Sequence, residues 1–171
     1  MNRTIVITGA TTGIGAALRQ LLRAQGDTVI NVDIRDADIV ADLTTAAGRE
    51  QALAAIKVRC PDGIHGFVPC AGLGPQFPSL SRIVALNFFA VCALTESLLP
   101  LLKQANGHVV LVASNSASLP GINQELVKAM LDNNETLACE LVETLDGFQA
   151  YSGSKNAVVR WMRKLAPVWA K

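Results

Sequence analysis

The sequence predicts an α/β fold, a mainly parallel sheet with helices on both faces, and three observations carry that prediction. Thr4-Ile5-Val6-Ile7-Thr8 is a short β-branched run without polar alternation, the pattern of a strand covered on both sides. It runs straight into a glycine-rich turn, Gly9 to Gly15, after which Leu18, Leu21 and Leu22 recur at helical spacing. Strand-like and helix-like stretches then keep alternating along the chain.

The totals fit one domain over 1–171, large enough for a substantial core. Half of the residues are hydrophobic and 17% are charged, which excludes a disordered chain. The formal net charge is +1 without a basic run, so neither nucleic acid nor an anionic membrane has an electrostatic claim as partner. No stretch has 18 uninterrupted apolar residues, and Met1 to Thr4 enters a β-branched run rather than a signal peptide. Cys60, Cys70, Cys92 and Cys139 lack CxxC spacing and read as buried thiols of a reducing compartment. His65 and His108 are isolated and lack metal-ligand spacing. A metal-free cytoplasmic domain is expected.

In chain order, Gly26 is the expected end of the first helix, and Thr28 to Val32 reads as a second strand closed by Asp33. Strand, glycine-rich turn, helix, strand and terminal acid together make a dinucleotide-binding unit. Its glycines let the backbone approach a pyrophosphate, whose charge the helix N-terminus favours. Asp33 stands 18 residues beyond Gly15, where a carboxylate can accept hydrogen bonds from ribose hydroxyls. It would repel a 2′-phosphate, so NAD is favoured over NADP.

Ile39-Val40-Ala41 reads as a third strand, and Asp42-Leu43 after it could bracket an adenine. A helix is expected from Thr44 to about Arg59, with Leu53 and Ile56 on one face. Gly66-Phe67-Val68 begins a fourth strand that Pro69 breaks; the small residues Cys70, Ala71 and Gly72 then let a cofactor lie close to the backbone, or form an ordinary turn. A long apolar helix is expected from about Ser79 to Leu102, with Asn87 inside it, a residue type that on such a helix is ordinarily solvent-facing or caps a kink. Val109 to Val112 reads as the fifth strand, with Ser114 just past its carboxyl end, the edge where open parallel sheets bind ligands.

Tyr151 and Lys155 are four apart on an expected helix, so they share one face with Cβ atoms about 5–6 Å apart. The ammonium would favour the phenolate, and such a phenol can exchange a proton with an alcohol or a carbonyl. Alone the pair carries little, because many helices place Tyr and Lys at this spacing; the company upstream gives it meaning.

Together these pieces resemble the short-chain dehydrogenase/reductase family. Thr8-Gly9-Ala10-Thr11-Thr12-Gly13-Ile14-Gly15 matches the family's TGxxxGxG, and Tyr151 with Lys155 matches its YxxxK. The stretches Asp33 to Ala37, Cys70 to Gln76 and Tyr151 to Ala157 look closest to bacterial members acting on hydroxysteroids and other carbonyl compounds. The resemblance implies a Rossmann-type, doubly wound sheet and an NAD-dependent interconversion of a secondary alcohol and a ketone. It implies four catalytic residues. Tyr151 would be the general acid/base, and Ser114 the partner of the substrate oxygen. Lys155 would support Tyr151 and hold the nicotinamide ribose, and Asn87 would support a water linking Lys155 to solvent. For the cofactor it implies Gly9, Thr11, Thr12, Gly13, Ile14 and Gly15 at the pyrophosphate, with Asp33, Ile34, Asp42, Leu43, Cys70, Ala71 and Gly72 along the adenosine side. A homo-oligomer is the implied assembly.

Three departures from the family pattern matter. Cys70 stands where the family usually has Asn, which weakens that contact or leaves it to the backbone. Ser114 and Tyr151 are 37 residues apart, where members commonly have about a dozen between them. The surplus, about 119–147, carries two runs at helical spacing, divided by the cap-like Asp132-Asn133-Asn134-Glu135. Such an insert either packs on its own domain, or changes subunit association or covers the substrate cleft. Finally, members continue beyond the position of Lys171 through further strands and a substrate-covering loop. The expectation is a truncated chain lacking those C-terminal strands, with a genuine short form as the alternative. A non-catalytic NAD-binding sensor or interaction domain is therefore the rival function, and a reductase of acyl-carrier thioesters, typically using NADPH, is disfavoured by Asp33.

Overall fold

The structure, a computed structural model, describes residues 2–169. The described residues form two compact units, one of residues 2–71 with 93–112, the other of residues 72–92 with 113–169.

The first unit is built on five parallel strands in the order β3-β2-β1-β4-β5: β1 (Thr4–Thr8), β2 (Thr28–Asp33), β3 (Ile39–Val40), β4 (Gly66–Pro69) and β5 (His108–Val109). The chain winds outward from β1 to β3, then restarts on the other side of β1. The order therefore reverses between β1 and β4, and at such a switch point two successive connections leave in opposite directions and open a crevice. Val6 and Ile7 are fully buried at the centre of β1. Burial of such a side chain is worth about 1.5–3 kcal/mol. Helices α1 (Gly13–Ala24) and α2 (Ala46–Arg59) supply cover, with Leu18 and Leu22 of α1 packed on a cluster of Ile5, Ile7, Val29 and Val68. Gly26, at φ 87, follows the end of α1 as a left-handed residue.

Two expected strand boundaries are corrected, and one residue accounts for both. Pro69 does not break the fourth strand: it is the last residue of β4, paired with Thr8. Successive residues of a strand turn their N–H and C=O groups to opposite neighbours. Cys70 N–H bonds Thr8 on the β1 side, and Phe67 C=O accepts from Val110 N–H on the β5 side. The missing donor of Pro69 thus faces β5. That ladder cannot continue at full strength, and the fifth strand is His108–Val109 rather than Val109 to Val112. Val110 is left 59% exposed at the sheet edge. The third strand is likewise shorter than expected, Ile39–Val40, although Ala41 N–H still bonds Asp33 C=O.

The long apolar helix runs Leu80–Gln104, as α3 (Leu80–Val84), a π-helical turn (Ala85–Ala90) and α4 (Val91–Gln104). By length and composition it could cross a membrane, but 72% of its most apolar window is buried inside the protein, the behaviour of a core helix. Its residues to Cys92 belong to the second unit, those from Ala93 to the first.

The second unit is helical: a 3-10 turn (Asn115–Ser118), α5 (Gln124–Leu131), α6 (Glu135–Val142) and α7 (Gly147–Trp169), with α3 and the π turn. Asn123 and Asn134 cap α5 and α6, accepting from Leu126 N–H at 2.9 Å and Leu137 N–H at 3.0 Å. Between those helices Asn133 takes a φ of 57, a conformation Asn tolerates. The 119–147 stretch packs within this unit: Leu126, Val127, Met130, Ala138 and Val142 are fully buried, and α5 lies against both α6 and α7.

Candidate active site

In the first unit the site begins where β1 and β4 end. A Cβ on Gly9 would fall 2.5 Å from Ala71 Cα, and Gly9 has φ 71, so only glycine lets these two connections approach. A Cβ on Gly15 would fall 2.3 Å from Gly9 C=O, so the first turn of α1 rests directly on the loop. The N-cap Thr12 makes no side-chain cap bond, and the first turn of α1 has no acidic residue. Its first N–H groups are thus not claimed by a cap, and the helix end favours an anion. Ile14 stands open there, 73% exposed. This cradle fits the pyrophosphate of a dinucleotide.

Around it, Asp33 at the end of β2 accepts from Thr11 N–H at 3.1 Å and Ile34 N–H at 2.8 Å. A carboxylate has about four acceptor positions, so two such bonds leave capacity for ribose hydroxyls. Asp42 accepts from Thr44 N–H and Oγ1 at 3.0 and 2.6 Å, in a turn that leads into α2. Leu43 is buried in the core, and Cys70 and Ala71 are half-buried.

Two residues beyond the expected cofactor contacts support the loop. Asn31, fully buried in β2, accepts from Ala10 N–H at 2.9 Å and donates to Thr11 Oγ1 at 3.0 Å. Thr8 Oγ1 accepts from Ala71 N–H at 3.1 Å. A signal for Asn31 existed: a polar residue inside a doubly covered apolar strand must find partners.

All four expected catalytic residues lie in the second unit. Tyr151 and Lys155 share one face of α7, with Lys155 Nζ 5.9 Å from the centre of the Tyr151 ring. Tyr151 is half-buried and Lys155 buried. Helix α7, which carries Tyr151 and Lys155, packs against both the π turn that holds Asn87 and the 3-10 turn that follows Ser114. Ser114 caps that turn and is half-buried.

Asn87 departs from the solvent-facing position usual on such helices. It is fully buried, and its carboxamide bridges the turn at Gly72: Oδ1 accepts from Leu73 N–H at 2.8 Å and Nδ2 donates to Leu73 C=O at 2.9 Å. Nδ2 also reaches Ser154 Oγ at 3.4 Å, on the helix between Tyr151 and Lys155. Gly72 lies so close that a Cβ there would meet Asn87 Oδ1 at 3.2 Å. Among the described residues no cluster of His, Cys, Asp or Glu could hold a metal ion.

Comparison with known proteins agrees with this geometry. Residues 3–126 match the family model described as short chain dehydrogenase. The 3-alpha-hydroxysteroid dehydrogenase/carbonyl reductase of Comamonas testosteroni is 42% identical over 98% of this chain, which spans 67% of that protein. Coniferyl-alcohol dehydrogenase of a Pseudomonas strain is 35% identical over 66% of this chain, which spans 44% of it. Among solved structures, a 3-alpha-hydroxysteroid dehydrogenase from Pseudomonas sp. B-0831 complexed with NADH superposes with a TM-score of 0.93 at 42% identity, covering 98% of this chain and 67% of that one. With its five parallel strands, its glycine cradle and its Tyr–Lys helix, the chain belongs to the short-chain dehydrogenase family of oxidoreductases.

Proposed function

We propose that this protein uses NAD to interconvert a secondary alcohol and a ketone, with a hydroxysteroid as the best single substrate. The observation that carries the proposal is Tyr151 and Lys155 on one face of α7, the ammonium 5.9 Å from the phenol ring centre. The names of the 42%-identical relatives support the substrate class.

Bound NAD supplies the hydride acceptor, and NADH the donor in the reverse direction. The chain's own residues do the rest. Ser114 donates a hydrogen bond to the substrate oxygen, which stabilises charge growing there. In oxidation Tyr151 as phenolate takes the hydroxyl proton while the carbinol C–H pair leaves as hydride; in reduction Tyr151 returns that proton to the carbonyl oxygen. Lys155 supports the phenolate by its charge and holds the nicotinamide ribose, and Asn87 keeps the adjoining turn in place and its main chain near a water. Gly9, Gly13 and Gly15 with the N–H groups of Thr12 and Ile14 hold the pyrophosphate, and Asp33 selects NAD by its ribose contacts. A homo-oligomer working in the cytoplasm completes the proposal.

The test is NADH formation from NAD and a panel of secondary alcohols that includes a 3α-hydroxysteroid, with Tyr151→Phe beside the native chain. General acid–base catalysis contributes about 10²- to 10⁴-fold, so Tyr151→Phe should lose at least that lower factor in kcat and still bind NADH. Turnover that survives the substitution would remove Tyr151 from its role. NADH binding by the native chain with no turnover on any alcohol would favour a non-catalytic nucleotide-binding domain.

A further inference from the structure

Ser114 Oγ receives two hydrogen bonds from one residue, Ser116: its backbone N–H at 3.2 Å and its hydroxyl at 2.9 Å. A hydroxyl oxygen has two lone pairs and one proton. With both lone pairs engaged, Ser114 can act toward a third group only as a donor. Its own O–H reaches Asn115 Oδ1 at 3.4 Å, longer than an ordinary O–H···O bond, so this proton is weakly held and available.

Ser116 is suited to this task. It is 6% exposed, inside the 3-10 turn Asn115–Ser118, so bulk water does not compete for its hydroxyl. The turn is fixed by Ala117 N–H on Ser114 C=O at 3.1 Å and by Leu119 N–H on Ser116 C=O at 3.3 Å. Helix α7 ties it down as well: Asn156 Nδ2, one residue after Lys155, donates to Ala117 C=O at 2.8 Å.

We propose that Ser116 is a positioning residue of the reaction, which by donating its hydroxyl proton to Ser114 Oγ fixes Ser114 as the hydrogen-bond donor to the substrate oxygen. This rests on the role given to Ser114 under Proposed function. A carbonyl or alkoxide oxygen only accepts, so a serine free to rotate would spend part of its time presenting a lone pair to another acceptor. The Ser116 hydroxyl removes that orientation before substrate arrives. It also polarises the Ser114 O–H, as hydrogen bonds in a chain strengthen one another by about 10–30% per bond. Asn156 holds the pair in register with the helix that carries Tyr151.

The test uses the full chain, NAD and a 3α-hydroxysteroid, with Ser116→Ala, Ser116→Thr and Ser114→Ala beside the native protein. One neutral hydrogen bond is worth about 0.5–1.5 kcal/mol, so Ser116→Ala should lower kcat by about two- to ten-fold. KM for NAD and the NADH dissociation constant should stay within a factor of about two, because neither depends on the donor to the substrate oxygen. Ser116→Thr restores a hydroxyl and should recover most of kcat; Ser116→Cys, close in size and a weak donor, should resemble Ser116→Ala and serves if threonine disturbs the turn. An inactive Ser114→Ala beside a Ser116→Ala of native kcat would overturn the relay and leave the role of Ser114 standing. Loss of NADH binding and melting temperature in step with kcat, in the Ala and Cys variants alike, would overturn it as a merely structural contact. Undiminished turnover by Ser114→Ala, or none by the native chain, would overturn the reading beneath it.

Discussion

Asn31 and Thr11 are joined by a hydrogen bond of 3.0 Å that fastens the second strand to the glycine-rich turn. The same carboxamide accepts from Ala10 N–H, while Thr11 N–H is held by Asp33. The loop that would carry the pyrophosphate is thereby set in place by β2 before any ligand arrives. Asn31→Ala leaves the Ala10 N–H without its partner at a buried site, which costs about 1–3 kcal/mol, and takes from Thr11 Oγ1 its tie to β2. We expect NADH affinity to fall by about ten-fold or more, with kcat at saturating cofactor little changed. Fluorescence titration of NADH with steady-state kinetics checks both; an unchanged dissociation constant would sink the idea.

Gly15→Ala should be poorly tolerated. The added methyl would meet Gly9 C=O at 2.3 Å and Gly9 C at 2.9 Å, backbone atoms that cannot swing aside. Overpacking of this kind costs about 1–3 kcal/mol and would push the start of α1 off the loop. A lower melting temperature together with lost NADH binding is the expected result. Gly74→Ala is the control, since its Cβ would meet only the end of the Gln76 side chain.

Met130 tests whether the 119–147 segment is part of the bed of α7. Leu126 and Met130 lie beneath Gly153, at 3.2 and 3.9 Å from where its Cβ would be. Met130→Ala should destabilise the second unit by about 2–5 kcal/mol and lower kcat more than it weakens NADH binding. Thermal melts and kinetics decide it. A variant as stable as the native chain would mean that α5 is only a passenger.

Acid should weaken the first unit through Asp27. Hydrogen bonds from Arg3, its Nη2 at 2.5 Å and its Nε at 3.0 Å, hold the Asp27 carboxyl below the usual carboxylate range. A lowered folded-state value means the contribution is whole above the unfolded value of about 3.9. It is lost as pH falls through the still lower folded value. Asp27→Asn should therefore melt below the native chain at pH 7, and the two curves should converge below about pH 4. A gap that stays constant down to pH 3 would contradict this account.

Much of the site could be read in advance because its signals are local. The turn from Gly9 to Gly15, Asp33 after its strand and Tyr151 with Lys155 one helical turn apart are all short-range patterns. Their geometry follows from backbone sterics and helical repeat alone. The extent of β5 was not legible, because it depends on which way the absent N–H of Pro69 faces, and that requires knowing the neighbour. The setting of Asn87 was not legible for a related reason: nothing nearby in sequence says that a buried carboxamide will bridge the turn at Leu73.

By itself, then, the sequence determined the α/β class, the cradle, the Tyr–Lys face and the cap-like break that holds Asn134, since each rests on periodicity or on the conformational limits of single residues. Tertiary structure alone decided that Asn31 braces the loop, that Ser116 engages both lone pairs of Ser114, and that α5 packs against α7 while α6 packs against α3 and α5. The physical reason is satisfaction. A buried polar group or apolar face must be matched, and which distant residue matches it is settled only when the chain has packed.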